Sequence, residues 1–384
     1  MIGKTQIEVF KERKTPFYHY DIGHLKQVVS DAKTAADRYG YHIHYALKAN
    51  TESTVLRTMI ELGLGADCVS GAEILCAVKA GFDPSNIAFA GVGKTDEELM
   101  SAIDLNIFTI NVESLEELKV IDHLAEIRGR NVQIALRLNP DVDADTHRYI
   151  TTGLEENKFG ISSWQIPEVM AFIKNSRFID LIGLHFHIGS QIKSLEPFKN
   201  LCARVNTLNQ QFLDAGFHIE HINAGGGLGI DYDQPDDIKN PDFEAFFEVF
   251  NKYLSLEANQ SLHFELGRSL VANCGDLISR VLYVKKGLKT NFVILDAGMT
   301  ELIRPALYQS VHKIENLSSR EGNATFKYDI VGPVCESSDC FGKAMSLPET
   351  QRGDLIAIRS AGAYGASMAS NYNLRKLNDP LISS

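Results

Sequence analysis

Lys48 sits in Tyr45-Ala46-Leu47-Lys48-Ala49-Asn50, where an apolar run of strand character delivers one amine to its C-terminal end. Such an amine forms a Schiff base with a carbonyl once burial or a neighbouring cation lowers its pKa. A solvated surface charge is the alternative for any lone lysine. The weight on Lys48 comes from the ends of later strand-like segments. They carry Asp67 with Ser70, Arg137 with Asn139, His187 with Gly189-Ser190, Gly225-Gly226-Gly227, and Glu265 with Gly267-Arg268. Loop polarity accounts for any one of these, whereas the set predicts convergence on one pocket.

The run Ala224-Gly225-Gly226-Gly227-Leu228-Gly229 directly follows a strand-like segment, so its N–H groups could cradle a phosphate. A dinucleotide fingerprint fails here because Ile230 stands where the third glycine belongs. A monophosphate is favoured, and a tight turn at positive φ is the competing explanation. His42-Ile43-His44 and His185-Phe186-His187 have metal-pair spacing. However, His42 and His44 precede Lys48 by six and four residues, roughly 13 to 20 Å along a strand, so they cannot share its site. No metal is expected. His42, His44 and His185 are assigned to the core or rim, and His187 to a ligand-facing position.

The elements that must carry these residues alternate regularly. Strand-like runs near His42 to Leu47, Gly65 to Val69, Ile87 to Ala90, Phe108 to Val112, Val132 to Leu138, Leu181 to Ile188, Ile219 to Ala224 and Leu262 to Leu266 are separated by amphipathic stretches. The pattern predicts an α/β fold, a (β/α)8 barrel over 23–267, with an open doubly wound sheet as the alternative. Chemistry in such a barrel sits at the C-terminal strand ends. Beyond Gly267 the spacing changes. Val281 to Val284, Phe292 to Leu295, Phe326 to Val331 and Leu355 to Ile358 predict a second, mainly antiparallel β domain over 268–384. Ile7 to Phe10 and Phe17 to Tyr20, within the N-terminal segment 1–22, are expected to join it as strands.

Composition bounds the partners. The 384 residues carry a net charge of −11 and no lysine/arginine block, which disfavours nucleic acid or an anionic membrane surface. No C-x-x-C pair occurs among the six cysteines, and Met1 to Lys14 has no apolar signal core. No apolar run approaches the roughly 20 residues that span a bilayer. A reduced, cytoplasmic protein acting on a small molecule is expected.

An ordered set of motifs runs through nearly the whole chain: Tyr45-Ala-Leu-Lys-Ala-Asn50, Gly65-Ala-Asp-Cys-Val-Ser-Gly-Ala-Glu73, Gly183-Leu-His-Phe-His-Ile-Gly-Ser-Gln191, Gly225-Gly-Gly-Leu-Gly229, Glu265-Leu-Gly-Arg268, Asp296-Ala-Gly-Met299, Arg304-Pro-Ala-Leu-Tyr308, Gly332-Pro-Val-Cys-Glu-Ser-Ser-Asp339 and Ser367-Met-Ala-Ser-Asn-Tyr-Asn373. In these the chain resembles the alanine-racemase-type (fold type III) pyridoxal-phosphate decarboxylases, and among them the diaminopimelate-decarboxylase family. The resemblance implies pyridoxal 5′-phosphate as cofactor. Lys48 would hold it as a Schiff base and His187 would stack on its ring. Ser190, the amides of Gly225 to Gly227, Arg268 and Tyr364 would hold the phosphate, with Gly267 beside them. Glu265 would face the pyridine nitrogen and keep the ring protonated. Asp67 and Arg137 would set the position and charge of Lys48.

By the same resemblance Arg268, Arg304, Tyr308, Glu336 and Tyr364 bind substrate. An arginine grips a distal carboxylate bidentately and a carboxylate holds a distal ammonium. Cys335 would give the proton to the carbanion, since a thiol is ordinarily protonated at neutral pH. Cys335 and Glu336 would reach across from a partner subunit, which implies a homodimer with shared active sites. The expected reaction is decarboxylation of meso-2,6-diaminopimelate to L-lysine and CO2. The alternatives are decarboxylation of another basic amino acid or carboxynorspermidine on the same fold, and an inactive regulatory homologue. Arg304 with Cys335-Glu336-Ser337 favours the first, because a monocarboxylate substrate offers Arg304 nothing. Leu266, Thr300 and Ala72 depart from the family's usual Pro, Asn and Gly. None removes a named role.

Overall fold

The structure is a computed structural model and describes residues 2–142, 158–236, 240–319 and 324–383. The chain divides into two compact units, Val28–Gly229 with Asp242–Gly267, and Met1–Gln27 with Ile230–Pro241 and Arg268–Ser384.

After a first strand, β1 (Phe17–Asp21), the strands β2 (His42–Ala46), β3 (Gly65–Cys68), β4 (Ile87–Phe89), β5 (Thr109–Val112), β6 (Val132–Arg137), β7 (Ile179–His185), β8 (His221–Asn223) and β9 (Ser261–Leu266) follow in order. The last eight form a closed parallel barrel. It closes between β2 and β9, where His42 lies opposite His263 and Tyr45 opposite Leu266. The strands are short and almost wholly buried, as parallel strands covered on both faces must be. The eight strands expected of the barrel all occur, most of them trimmed at an end. β7 stops at His185, so His187 stands in the segment beyond it. Leu266, where a proline is usual, continues β9 in register.

The intervening helices start where side chains can satisfy their free N–H groups. Ser70 Oγ accepts from Glu73 N at 3.2 Å, and Thr95 forms a capping box with Glu98. Gly81 ends its helix at φ 110°, a conformation that favours glycine. On one side of the barrel the helix Phe243–Tyr253 buries Phe246, Phe247 and Phe250 against Phe264 of β9, with ring centroids 5.5, 4.9 and 4.8 Å away. Edge-on packing of this kind adds to the area term.

The other unit contains β1, β10 (Gly275–Lys285), β11 (Asn291–Leu295), β12 (Ile314–Asn316), β13 (Thr325–Val331), β14 (Cys340–Pro348), β15 (Leu355–Ile358) and β16 (Leu381–Ser383). They form one sheet in the order β12-β15-β10-β11-β13-β14, with β1 pairing β10 and β16. Most pairs are antiparallel; β11 with β13 and β1 with β16 are parallel. Ile7 to Phe10 is not a strand. Lys4–Lys11 is a helix begun by Gly3, whose N–H donates to Gln6 Oε1 at 2.8 Å, and it buries the single residue Phe10 against Phe17, Ile278 and Leu355. One buried side chain over two turns suits a surface helix rather than a strand with two faces.

Candidate active site

Lys48 occupies a single 3-10 turn, Leu47–Ala49, just past β2. Its Nζ lies 2.8 Å from Oδ2 of Asp67 at the end of β3. Asp67 is fully buried, and its Oδ1 has no hydrogen-bond partner among the described residues. Burial raises the Asp67 pKa, as does the charge of Glu265, and Lys48 opposes both. The ionised carboxylate therefore depends on the lysine cation.

Glu265 lies inside the barrel, held from three other strands. His185 Nε2 is 3.1 Å from Oε2, Asn223 Nδ2 donates to Oε1 at 2.9 Å, and Asn111 Nδ2 approaches Oε1 at 3.4 Å. Burial works against its ionisation, but His185, through charge and hydrogen bond, and Lys48 outweigh it and hold the carboxyl well below the usual range. His187 has the opposite bias. Burial, with the charges of Arg137 and Lys48, lowers its pKa to about 3, so the imidazole is neutral. One ionised carboxylate, one neutral imidazole and one amine thus meet in the same unit.

The glycine run is packed against the segment after β7. Ile192 N donates to Gly227 O at 2.8 Å and Gly229 N to Ile192 O at 3.0 Å, which seats Ser190 beside the run. A Cβ on Gly227 would come within 2.7 Å of Gly189 O, and φ there is 111°. The N–H groups of Gly225 and Gly226 are engaged by Asn223 Oδ1 at 2.9 Å and His187 Nδ1 at 3.3 Å. Gly227 N–H has no partner among the described residues, so it is the amide of the three left for an anion. These residues fit pyridoxal phosphate: an amine for the aldehyde, an ionised buried carboxylate for the ring nitrogen, a neutral ring to stack, and a free amide for phosphate.

Arg137 pairs with Glu113, Nη1 to Oε1 at 2.8 Å, both buried. Its charge bears on His187. Ser70 serves as a helix cap, and Asn139 Oδ1 accepts from Asp141 N at 3.0 Å.

In the other unit Arg268, two residues past β9, donates from Nη1 to Tyr232 OH at 2.6 Å, and its guanidinium lies 4.8 Å from the Tyr364 ring centroid. Tyr364 is held at φ 57°. The Arg304 guanidinium lies 4.6 Å from the Tyr232 ring centroid, with Nη1 2.9 Å from His312 Nε2. Burial first, then Arg304, lowers the His312 pKa to about 3, so it offers a lone pair and no charge. Arg304 is 4% exposed, its Nε is unpartnered, and no carboxylate forms an ion pair with it among the described residues. A buried guanidinium without a counterion is a carboxylate site in waiting. Tyr308 closes the short helix that Arg304 opens, within electrostatic reach of Arg268.

Cys335 and Glu336 lie elsewhere in this unit, exposed on the loop between β13 and β14. Buried Asp339 shapes that loop, accepting from Val334 N at 2.7 Å and Met299 N at 2.6 Å. Tyr372 OH donates to Glu336 Oε1 at 2.9 Å.

Sequence reasoning did not reach Asn111, Asn223, Glu113, Tyr232, His312, Asp339 or Tyr372 as site residues, and it placed His185 only in the core or rim. Period-two spacing was the available signal for His185 and Asn223, which precede His187 and Gly225 by two. No spacing signals the others.

Residues 24–272 match the family described as pyridoxal-dependent decarboxylase, pyridoxal binding domain. A diaminopimelate decarboxylase of Bacteroides thetaiotaomicron is 52% identical over 378 residues, 98% of this chain and 97% of the relative. A crystal structure of diaminopimelate decarboxylase from Helicobacter pylori complexed with L-lysine superposes with TM-score 0.91 at 42% identity, covering 98% of this chain and 93% of that one. One from M. jannaschii, also in complex with L-lysine, gives TM-score 0.90 at 33% identity, with 98% and 89% covered.

Proposed function

The chain belongs to the pyridoxal-dependent decarboxylases, and from that premise we propose that its reaction is decarboxylation of meso-2,6-diaminopimelate to L-lysine and CO2. The observation that carries the substrate is Arg304, a buried guanidinium with no carboxylate partner among the described residues. Diaminopimelate brings a second amino-acid head, and its carboxylate supplies the missing counterion. Relatives at up to 52% identity over nearly the full length, named for this reaction, support the reading.

Pyridoxal phosphate, when bound, supplies an electron sink for the pair left at Cα as CO2 departs. Lys48 would hold its aldehyde carbon. Glu265, ionised and fixed by His185 and Asn223, would keep a proton at the ring nitrogen. His187, neutral, would stack on the ring without competing for that proton. Ser190, Gly227 N–H, Arg268 and Tyr364 would hold the phosphate, with Gly225, Gly226 and Gly267 shaping the backbone around it. Asp67 holds the Lys48 amine in place. Arg304 and Glu336 orient the distal head, with Arg268, Tyr308 and Tyr364 lining the substrate's approach. Cys335 donates a proton to Cα.

The exposure of Cys335 and Glu336 on one chain supports their use by a partner chain, hence an isologous homodimer with shared sites. Among the described residues no helix is long and apolar enough to cross a membrane, and with the acidic net charge this supports a cytoplasmic enzyme. The test is direct. Purified protein with pyridoxal phosphate should release CO2 and lysine from meso-diaminopimelate and leave ornithine unchanged; turnover of ornithine with none of diaminopimelate would overturn the assignment.

A further inference from the structure

Glu336 stands on an exposed loop, where a carboxylate ordinarily samples several rotamers. Two features of this loop restrict it. Its backbone is fixed by Asp339, buried at 3% exposure, which accepts from Val334 N and Met299 N while its own N–H donates to Glu336 O at 3.1 Å. A Cβ on Gly332 would lie 2.3 Å from Asp339 Oδ2, so that residue must be glycine for the carboxylate to seat. The Glu336 side chain is then held by Tyr372, whose hydroxyl donates to Oε1 at 2.9 Å. Oε2 has no hydrogen-bond partner among the described residues.

Tyr372 is itself anchored. Ser370 N donates to Thr300 O at 2.9 Å, and Arg375 Nη2 bonds Asp296 O. Asn373 and Leu374 follow at φ 53° and 59°, turning the chain immediately after the tyrosine. The Asp296 to Thr300 turn thus holds both the loop bearing Glu336, through Met299, and the segment bearing Tyr372. The two side chains meet because one turn fixes both backbones. The hydrogen bond to Glu336 also raises the Tyr372 pKa, so the hydroxyl stays a donor.

We infer that Tyr372 is a positioning residue for substrate recognition: it fixes one oxygen of Glu336 so that the other is aimed at the distal ammonium of the substrate. The inference rests on the proposed diaminopimelate reading, in which Glu336 takes that ammonium. Tyr372 touches no reacting atom, so its effect falls on binding and passes through Glu336. Losing the hydroxyl frees a rotamer-rich side chain that substrate must then order, a cost worth about a 5- to 10-fold rise in KM.

The experiment is a double-mutant cycle on the holoenzyme with wild type, Tyr372→Phe, Glu336→Gln and the pair. It measures kcat and KM for meso-diaminopimelate, and the L-lysine dissociation constant by calorimetry, since lysine keeps the distal carboxylate and ammonium. Tyr372→Phe should raise KM and the lysine dissociation constant about 5- to 10-fold with kcat nearly unchanged, and should add nothing in the Glu336→Gln background. An unchanged KM, or a loss of equal size in both backgrounds, overturns the role of Tyr372. Wild-type enzyme that makes no lysine from diaminopimelate overturns the substrate reading instead, so the two failures are distinguishable.

Discussion

His185 Nε2 lies 3.1 Å from Glu265 Oε2, with both side chains buried inside the barrel. That pairing keeps a carboxylate ionised where burial alone would protonate it. Glu265→Gln keeps the shape and removes the charge, so kcat should fall by about 10²-fold or more with a smaller change in KM. His185→Gln should produce a smaller loss in the same direction, because Asn223 still donates to Oε1. Steady-state kinetics on both variants check this, and unimpaired turnover in Glu265→Gln would remove the carboxylate from the mechanism.

Lys48 is the amine expected to carry the cofactor. Borohydride treatment of the holoenzyme followed by peptide mapping should place the reduced pyridoxyl group on Lys48, and Lys48→Ala should lose the visible Schiff-base absorbance. Label on a different lysine would be decisive against the assignment.

The barrel was legible because fully buried parallel strands read as short apolar runs at regular spacing, and Lys48, Asp67, His187 and Glu265 stand at or just beyond their ends. What escaped depends on pairing across the chain. Asn111 meets Glu265 over 154 residues, and Tyr372 meets Glu336 over 36. Neither separation leaves a local period. The helix Lys4–Lys11 escaped for another reason: its one buried residue, Phe10, gives an apolar pattern too thin to distinguish helix from strand.

Acid should destabilise the barrel through its buried imidazoles. His44 Nε2 lies 2.9 Å from His263 Nδ1, and His221 packs 5.1 Å from the His263 ring. Burial lowers His44 to about 4 and, aided by His44 and His185, His221 to about 3. The folded pKa lies below the ordinary histidine value, so the unfolded chain binds more protons and stability falls as pH drops below about 6.5. At pH 5 each should cost about 2 kcal/mol. Urea unfolding at pH 7.5 and pH 5 measures the loss, and His221→Leu should reduce it; an equal loss in the variant would exclude this histidine.

Asp339 accepts two backbone N–H groups, a buried one from Val334 and a partly buried one from Met299. Asp339→Ala should destabilise the protein by about 2–4 kcal/mol by leaving both unsatisfied. It should also lower activity by displacing Cys335 and Glu336. Thermal melts and kinetics at a temperature where the variant is folded separate the two effects. A folded variant with wild-type kcat/KM would show that the loop is positioned without it.

The shared site is the claim that complementation tests most sharply. Lys48 belongs to the barrel unit, and Cys335 is exposed on a loop of the other. If Cys335 and Glu336 complete the partner's pocket, Lys48→Ala and Cys335→Ala homodimers should each be nearly inactive, whereas a heterodimer collects both lesions in one pocket and leaves the other intact. With random exchange half of the dimers are mixed and half of their sites are whole, so about a quarter of wild-type activity should return. Differently tagged chains establish that exchange has occurred. Exchange without recovery would mean that each chain completes its own site, or that Cys335 is not the proton donor. Recovery near a quarter requires the donor to act across the interface.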